Sequence, residues 1–453
     1  MKRGKGPPVT VHWFRRDLRL HDNHALLNAL LSGNAVLPVF IFDTDILSDL
    51  QEKRDRRVDF IHRTLNAIKT QLQRRRSDLH VEVGTPIEAW QRIVERYDVK
   101  AVHANRDHEP YGIKRDAEIG TFLRTNGIAF TTNKDHSVFD HDGVVKEDGR
   151  PYTVYTPYKR KWRSLFTPGM MAAFKSEDHL AELLRTEPLP MPSLADIGFL
   201  PTDLEVPETL MDISHLRSYA DTRNLPAVQG TSRLGIHLRF GTVSVRQVLR
   251  DAWELAPVFV DELIWREFFM QILLHFPQVI TRAFKPAYDG IAWRNNPDEF
   301  AAWCEGRSGY PIVDAGMREL EATGFMHNRV RMLTASFLTK HLLIDWRWGE
   351  AWFASNLLDF ELSSNNGNWQ WASGSGCDAA PYFRIFSPAA QTERFDPEHA
   401  YIGRWVPEWS SGTYPKPIVD HDFARKRAMA TYKAALVTDT GRSSGNPRLF
   451  EEA

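Results

Sequence analysis

Four short stretches carry residue types that ordinary core packing does not require. Residues 358–386, LDFELSSNNGNWQWASGSGCDAAPYFRIF, set Trp369 and Trp371 beside an Asn365-Asn366-Gly367 run and a Gly374-Ser375-Gly376 run. The amides can bond a ligand and favour turns, the glycines let a backbone or a flat ring approach closely, and the indoles offer broad aromatic faces. Core tryptophans closing a loop would read the same way. Tyr219 and Arg223 precede Thr231-Ser232-Arg233-Leu234-Gly235, a hydroxyl-rich turn leading into a helix. Its first N–H groups suit a pyrophosphate, although an ordinary Ser/Thr cap is commoner. In DELIWREF, residues 261–268, Glu262, Trp265 and Arg266 share one face of an apolar helix; a buried Glu–Arg pair alone is commonly structural. In MHNRVRM, residues 326–332, Asn328, Arg331 and Met332 share another face. An amide, a fixed cation and a thioether on one stripe could line a pocket for a flat ligand, although Met is often a gap filler.

These stretches need scaffolds to hold them. With 453 residues, 42% hydrophobic and 25% charged, the sequence is that of a soluble globular protein too long for one ordinary core, so two or more domains are expected. No apolar run is long enough to span a bilayer, and the basic opening MKRGKGPP leads into VTVHWF rather than a signal peptide core. Cys304 and Cys377 are too few for a disulfide framework or a cysteine-built metal centre, so no metal is expected and a reducing cytoplasm fits. A net charge of −1 means that nucleic-acid binding would need a local cationic patch.

Residues 1–135 alternate short apolar runs, at 9–14, 36–42, 79–83, 101–104 and 128–131, with amphipathic segments. That pattern predicts an α/β, doubly wound, Rossmann-like parallel-sheet domain. After the first run comes RRDLRLHDN, where a dinucleotide-binding unit would have a Gly-rich loop, so nothing supports NAD binding. Residues 136–207 read as a proline-spaced connector, residues 208–435 as a larger all-α domain, and residues 436–453 as a loose tail.

Residues 358–386 resemble, almost residue for residue, the flavin-binding signature of the photolyase and cryptochrome family. The run FRRDLRLHDN resembles that family's amino-terminal signature, which belongs to its antenna-binding domain. The other motifs fall at family spacing, and the likeness is greatest to the class I type cyclobutane pyrimidine dimer photolyases. The resemblance implies light-driven repair of dimers in DNA by electron transfer from reduced FAD to an extruded dimer; base flipping of this kind is the general solution for photolyases. It implies a lesion pocket of Glu262, Trp265, Asn328, Met332 and Trp371. It also implies flavin contacts from Tyr219, Thr231, Ser232, Arg233, Leu234, Glu262, Arg266, Asn328, Arg331, Asp359, Glu361 and Asn365, the last facing flavin N5. Gly235 departs from the family's serine and Glu361 is one methylene longer than the usual acid.

Trp293, Trp346 and Trp369 match the family's electron-carrying tryptophans, and Arg223, Arg266, Arg329 and Arg384 match phosphate contacts at the pocket rim. The alternatives are a photosensory cryptochrome or a (6-4) photolyase, where histidines typically stand at the Asn328 and Met332 positions; those residues and the short tail favour dimer repair. In folate-binding relatives an acid is expected near Gly112, so the second antenna chromophore stays open among folate, a deazaflavin, a second flavin or none at all. A monomeric cytoplasmic protein with damaged DNA as partner and no membrane contact is expected.

Overall fold

Runs of β-branched and aromatic residues form five strands: β1 (Pro8–Phe14), β2 (Ala35–Asp43), β3 (His80–Gly84), β4 (Asp98–Asn105) and β5 (Ala129–Asn133). They make one parallel sheet in the order β3-β2-β1-β4-β5. In the computed structural model, which describes residues 6–140, 142–209 and 213–440, each strand agrees with one of the five apolar runs to within a few residues. Helices His24–Leu30, Arg56–Gln73, Pro86–Arg96 and Pro110–Thr125 follow β1 to β4. Their starts are written in the sequence: Asn23 caps the first through its side chain, and Thr85 and Glu88 form a capping box on the third. Val9, Val11, Val39, Trp90, Ile93 and Val102 form the core beneath one sheet face, with Trp13 edge-on to Trp90 at 5.4 Å.

The stretch after β1 is almost entirely buried and pairs with itself and its surroundings. Asp17 accepts from the Arg15 amide (2.8 Å), Asn23 (2.9 Å) and Asn105 (2.7 Å). Arg19 and Arg246 both grip Asp135, at 2.5 Å and 2.7 Å, and Arg246 also holds Asp22 at 2.8 Å. Arg16 pairs with Asp107 at 3.1 Å. Burial pushes the Asp135 carboxyl up, but the two guanidiniums more than reverse this and hold it at about 2. The RRDLRLHDN run is therefore a structural hub.

By packing, the chain divides into two units. One comprises Met1–Tyr152, Thr156–Ala220 and Ser232–Leu274; the other comprises Thr153–Tyr155, Asp221–Thr231 and His275–Ala453. Helices Gly235–Phe240 and Val245–Ala252, most of Ile213–Thr222 and nearly all of Pro257–His275 thus belong with the sheet, whereas the sequence boundary falls at residue 207. The physical reason is the hub. Arg19 donates to the Gly241 carbonyl at 2.8 Å, and Gly241 has φ +65° with room for no Cβ, since one would lie 2.0 Å from the Arg16 carbonyl oxygen. Much of the connector is anchored to the same unit. Glu267 is buried and accepts from the amides of Val138 (2.7 Å) and Phe139 (3.1 Å) and from the Trp162 indole (2.9 Å).

The second unit is helical, including Asn328–Ser336, a π-helical turn Phe337–His341, Trp346–Asn356, Leu362–Ser373 and His421–Thr440. The last helix extends past the predicted limit of 435, and residues 441–453 of the predicted tail lie outside the described residues. Among the described residues no helix is long and apolar enough to cross a membrane.

Asp135→Asn removes the charge that two buried guanidiniums share. At pH 7 the variant is expected to lose about 3–5 kcal/mol in urea unfolding, as when one partner of a buried ion pair is deleted. Because the folded pKa lies below the unfolded one, this stability is present above the ordinary carboxylate range and is lost as pH falls through about 2. The gap between wild type and variant should therefore narrow as the pH drops below 4.

Candidate functional site

The Asn-Asn-Gly run expected to form a turn is instead helical. Helix Leu362–Ser373 passes through it and ends at Gly374, whose φ of +95° is the left-handed conformation glycine adopts most readily. Asn366 and Gln370, four apart, both donate to the Val279 carbonyl, at 3.0 and 2.9 Å, so the asparagine amide docks a neighbouring segment. The close approach expected of the glycine run is present at Gly376, where a Cβ would come within 3.1 Å of the Gln370 backbone.

Along this helix, Asn365, Trp369 and Trp371 line a cleft within the second unit. Asn328, Arg331 and Met332, one stripe of helix Asn328–Ser336, line it as well, together with Asp359 and Glu361. Eight of the residues predicted from sequence thus come together. Arg331 bridges to Asp359 at 3.0 Å and donates from Nε to the Met326 carbonyl at 2.7 Å. That leaves Asp359 Oδ1 buried with no hydrogen-bond partner, and the buried Trp369 Nε1–H likewise. An unmet acceptor and an unmet donor in a cleft walled by Phe353, Phe360 and Trp371 fit a flat heteroaromatic ligand bearing both kinds of group. The residues present therefore suit a flavin.

Asn365 donates its amide to the Glu350 carbonyl at 3.1 Å and carboxylate at 2.8 Å. Burial pushes the Glu350 carboxyl up, with the Asn365 bond pulling partly the other way. Sequence reasoning missed Glu350; its signal is a lone acid inside the aromatic run WRWGEAWF. Trp369 is seated against Gly349 of the facing helix, where a Cβ would fall 2.1 Å from the indole. Trp346 is buried at the start of that helix and Trp293 is half-buried, edge-on to Tyr432 at 5.9 Å.

The cationic residues divide between the units. In the second, Arg329 lies over the Phe395 ring at 4.4 Å and donates to Asn224 at 2.6 Å. Burial, then repulsion from Arg223 and Arg394, lowers the Arg329 pKa, which marks a gathering of three guanidiniums suited to an anion. Arg394 was missed because a single arginine in a short amphipathic helix carries no motif. Arg384 sits exposed on the segment after Gly376.

In the first unit, Glu262, Trp265 and Arg266 share a half-buried face of helix Pro257–His275, as the i, i+3, i+4 spacing predicts. Trp265 stacks on Phe269 at 5.5 Å, and Arg266 donates to the carbonyls of His136 (2.7 Å) and Leu238 (3.2 Å). Tyr219 packs edge-on against Phe259 at 5.1 Å. In the Ser232-Arg233-Leu234 turn, Ser232 Oγ accepts from the Leu234 amide at 3.3 Å, Arg233 takes φ +52°, and Leu234 is buried before a helix of six residues. Thr231 falls in the other unit. At Gly112, a Cβ would lie 2.5 Å from the Asp107 side chain, so Asp107 occupies the place an acid at 112 would need. Among the described residues no cluster of His, Cys, Asp or Glu could hold a metal.

Residues 10–180 match the family model described as DNA photolyase, and residues 259–413 the one described as FAD binding domain of DNA photolyase. A protein of Halobacterium salinarum named deoxyribodipyrimidine photo-lyase is 35% identical, over 94% of this chain and 99% of its own. The solved structure of a bacterial class III photolyase from Agrobacterium tumefaciens is 33% identical with a TM-score of 0.84, covering 96% of this chain and 98% of that one. An archaeal photolyase from Sulfolobus tokodaii, solved with two FAD molecules, is 32% identical with a TM-score of 0.78, covering 94% and 99%.

Gly349→Ala tests the seat of Trp369. A methyl group 2.1 Å from the indole forces the two helices apart, so the variant should lose about 1–3 kcal/mol in thermal or denaturant unfolding, the usual cost of overpacking.

Proposed function

The chain belongs to the DNA photolyase family, and from that premise we infer the roles of its residues. It is a flavoprotein lyase that repairs pyrimidine dimers in DNA with light. The observation that supports the site assignment best is the cleft of the second unit, where Asp359, with an orphan acceptor, and Trp369, with an orphan donor, line a space walled by aromatic rings. Arg331, Asp359, Glu361 and Asn365 hold FAD there, and Tyr219, Thr231, Ser232, Arg233 and Leu234 serve its phosphates. Bound FAD supplies the light-driven electron that opens the dimer.

The protein's own groups do the rest. Trp265 and Trp371 stack on the extruded bases, and Asn328 and Met332 line the lesion pocket. Glu262 hydrogen-bonds a base carbonyl on which negative charge develops, and so acts on the reaction more than on binding. Asn365, held by Glu350 at 2.8 Å, presents its amide to the ring system. Arg266 contributes to both the flavin side and the DNA rim. Arg223, Arg329 and Arg384 take backbone phosphates, and Arg394, which approaches the same phenyl ring as Arg329, joins them. Trp293, Trp346 and Trp369 form a series of oxidisable rings running inward from a half-buried to two buried positions.

The domain roles follow: residues 1–135 form the antenna-binding part and 208–435 the catalytic part. The light-harvesting chromophore is a flavin, a deazaflavin, or a folate held otherwise than by an acid at position 112. The protein acts as a monomer in the cytoplasm.

Illuminating the reduced protein with an oligonucleotide containing a thymine dimer should restore thymine absorbance; no recovery would turn the reading to a light sensor. Glu262→Ala should lower the repair yield several-fold at unchanged FAD content. Loss of FAD together with the fold would make Glu262 structural. Trp293→Phe and Trp369→Phe should slow light-driven reduction of the oxidised protein by an external donor, while repair by chemically reduced protein stays near wild type. Unchanged photoreduction in both variants would remove these rings from the electron path.

A further inference from the structure

Lys340 lies in the π-helical turn Phe337–His341, a geometry uncommon in proteins and frequent at functional positions. It is 1% exposed, a rare placement for a lysine. Its ammonium donates to the backbone carbonyl of Arg384 at 2.8 Å, and among the described residues no carboxylate pairs with it. A buried ammonium without a counter-ion is costly, so its one strong bond is informative. That bond reaches the exposed segment carrying Arg384 and the 60% exposed Phe383. The segment makes few bonds of its own: the Arg384 amide closes a turn on the Pro381 carbonyl at 2.9 Å, and the preceding Ser375 carbonyl accepts from the Lys285 amide at 2.9 Å.

We propose that Lys340 is a positioning residue for DNA binding, its ammonium fixing the backbone from which Arg384 reaches a phosphate. The inference rests on the reading of Arg384 as a phosphate contact. It carries a linkage that a purely structural lysine would not show. Burial, then repulsion from Arg384, lowers the Lys340 pKa to about 7. A phosphate docked on Arg384 offsets that repulsion, so the complex holds the Lys340 proton more firmly than the free protein does. Damaged-DNA binding must then take up a fraction of a proton near neutrality, and affinity must fall as pH rises above about 7, by at most about tenfold per pH unit. The other charged or titratable groups at this turn are His341, its partner His421 at 2.8 Å, Arg427, which donates to the His341 carbonyl at 2.6 Å, and the phenols of Tyr310 and Tyr432, both of which burial pushes up and keeps neutral. Burial, then the His421, Lys340 and Arg427 charges, pushes His341 down to about 3, so it stays neutral throughout this range.

The test uses the full-length FAD-loaded protein and an oligonucleotide containing one thymine dimer. Lys340→Met should raise Kd several-fold and flatten its dependence on pH between 6.5 and 8.5, with an unchanged flavin spectrum. Lys340→Gln, which keeps a neutral donor, should recover part of the affinity and none of the pH dependence. Calorimetry of the wild type in two buffers of different ionisation enthalpy should show proton uptake at pH 7 that fades at pH 6, which keeps the test decisive if both variants misfold. Wild-type affinity and pH slope in Lys340→Met, or no proton uptake in the wild type, overturns the proposal. Arg384→Ala separates the two readings: unchanged affinity there removes Arg384 itself from DNA binding, whereas weakened affinity there with a normal Lys340→Met removes only Lys340.

Discussion

The contact between Gly349 and Trp369 is the constraint on which the cleft depends. Helices Trp346–Asn356 and Leu362–Ser373 can meet at that distance only because position 349 has no side chain. The close packing sets the height at which Asn365, four residues before Trp369, meets Glu350, one residue after Gly349. The indole N–H of the same ring is buried without a protein partner. One missing methyl group therefore supports the ring at the cleft wall, the Asn365 amide and the Glu350 carboxylate that holds it. Buried polar groups of this kind hold position well when satisfied and are costly when not, which is why a bound ligand that completes them gains both affinity and orientation.

The sheet-bearing unit reaches rigidity by another route. Charges that would normally face water are buried here: Arg19, Asp22, Asp135 and Arg246 satisfy one another, Arg16 pairs with Asp107, and Asp17 accepts from the amides of Asn23 and Asn105. In many doubly wound folds the crevice at the carboxyl ends of the strands receives a ligand. Here the segment leaving β1 fills its own surroundings with ion pairs, and two helices from the later part of the sequence close the network through Gly241 and Arg246.

Legibility followed local physics. The strands could be read because β-branched runs between punctuating turns leave few other options. The stripe Asn328, Arg331, Met332 and the stripe Glu262, Trp265, Arg266 could be read because helical spacing alone decides which residues share a face. Residues 365–367 were misread because Asn and Gly are weak helix formers, and only the tertiary bonds of Asn366 and Gln370 to Val279 and the stop at Gly374 override that preference. The packing boundary was hidden for a similar reason. It is drawn by buried ion pairs between residues more than two hundred positions apart, and no sequence window of ordinary width contains both partners.

The tight meeting of Gly112 and Asp107 has a consequence for how this protein can change. Asp107 is held by Arg16 at 3.1 Å, and the 112 position gives way only if Asp107 does. An acid at 112 is thus unreachable by a single neutral substitution: residue 107 must shrink first, and the Arg16 charge it leaves behind must find another partner. The order of mutations at these two positions is constrained, and that constraint is recorded in a hydrogen atom where a side chain would otherwise be.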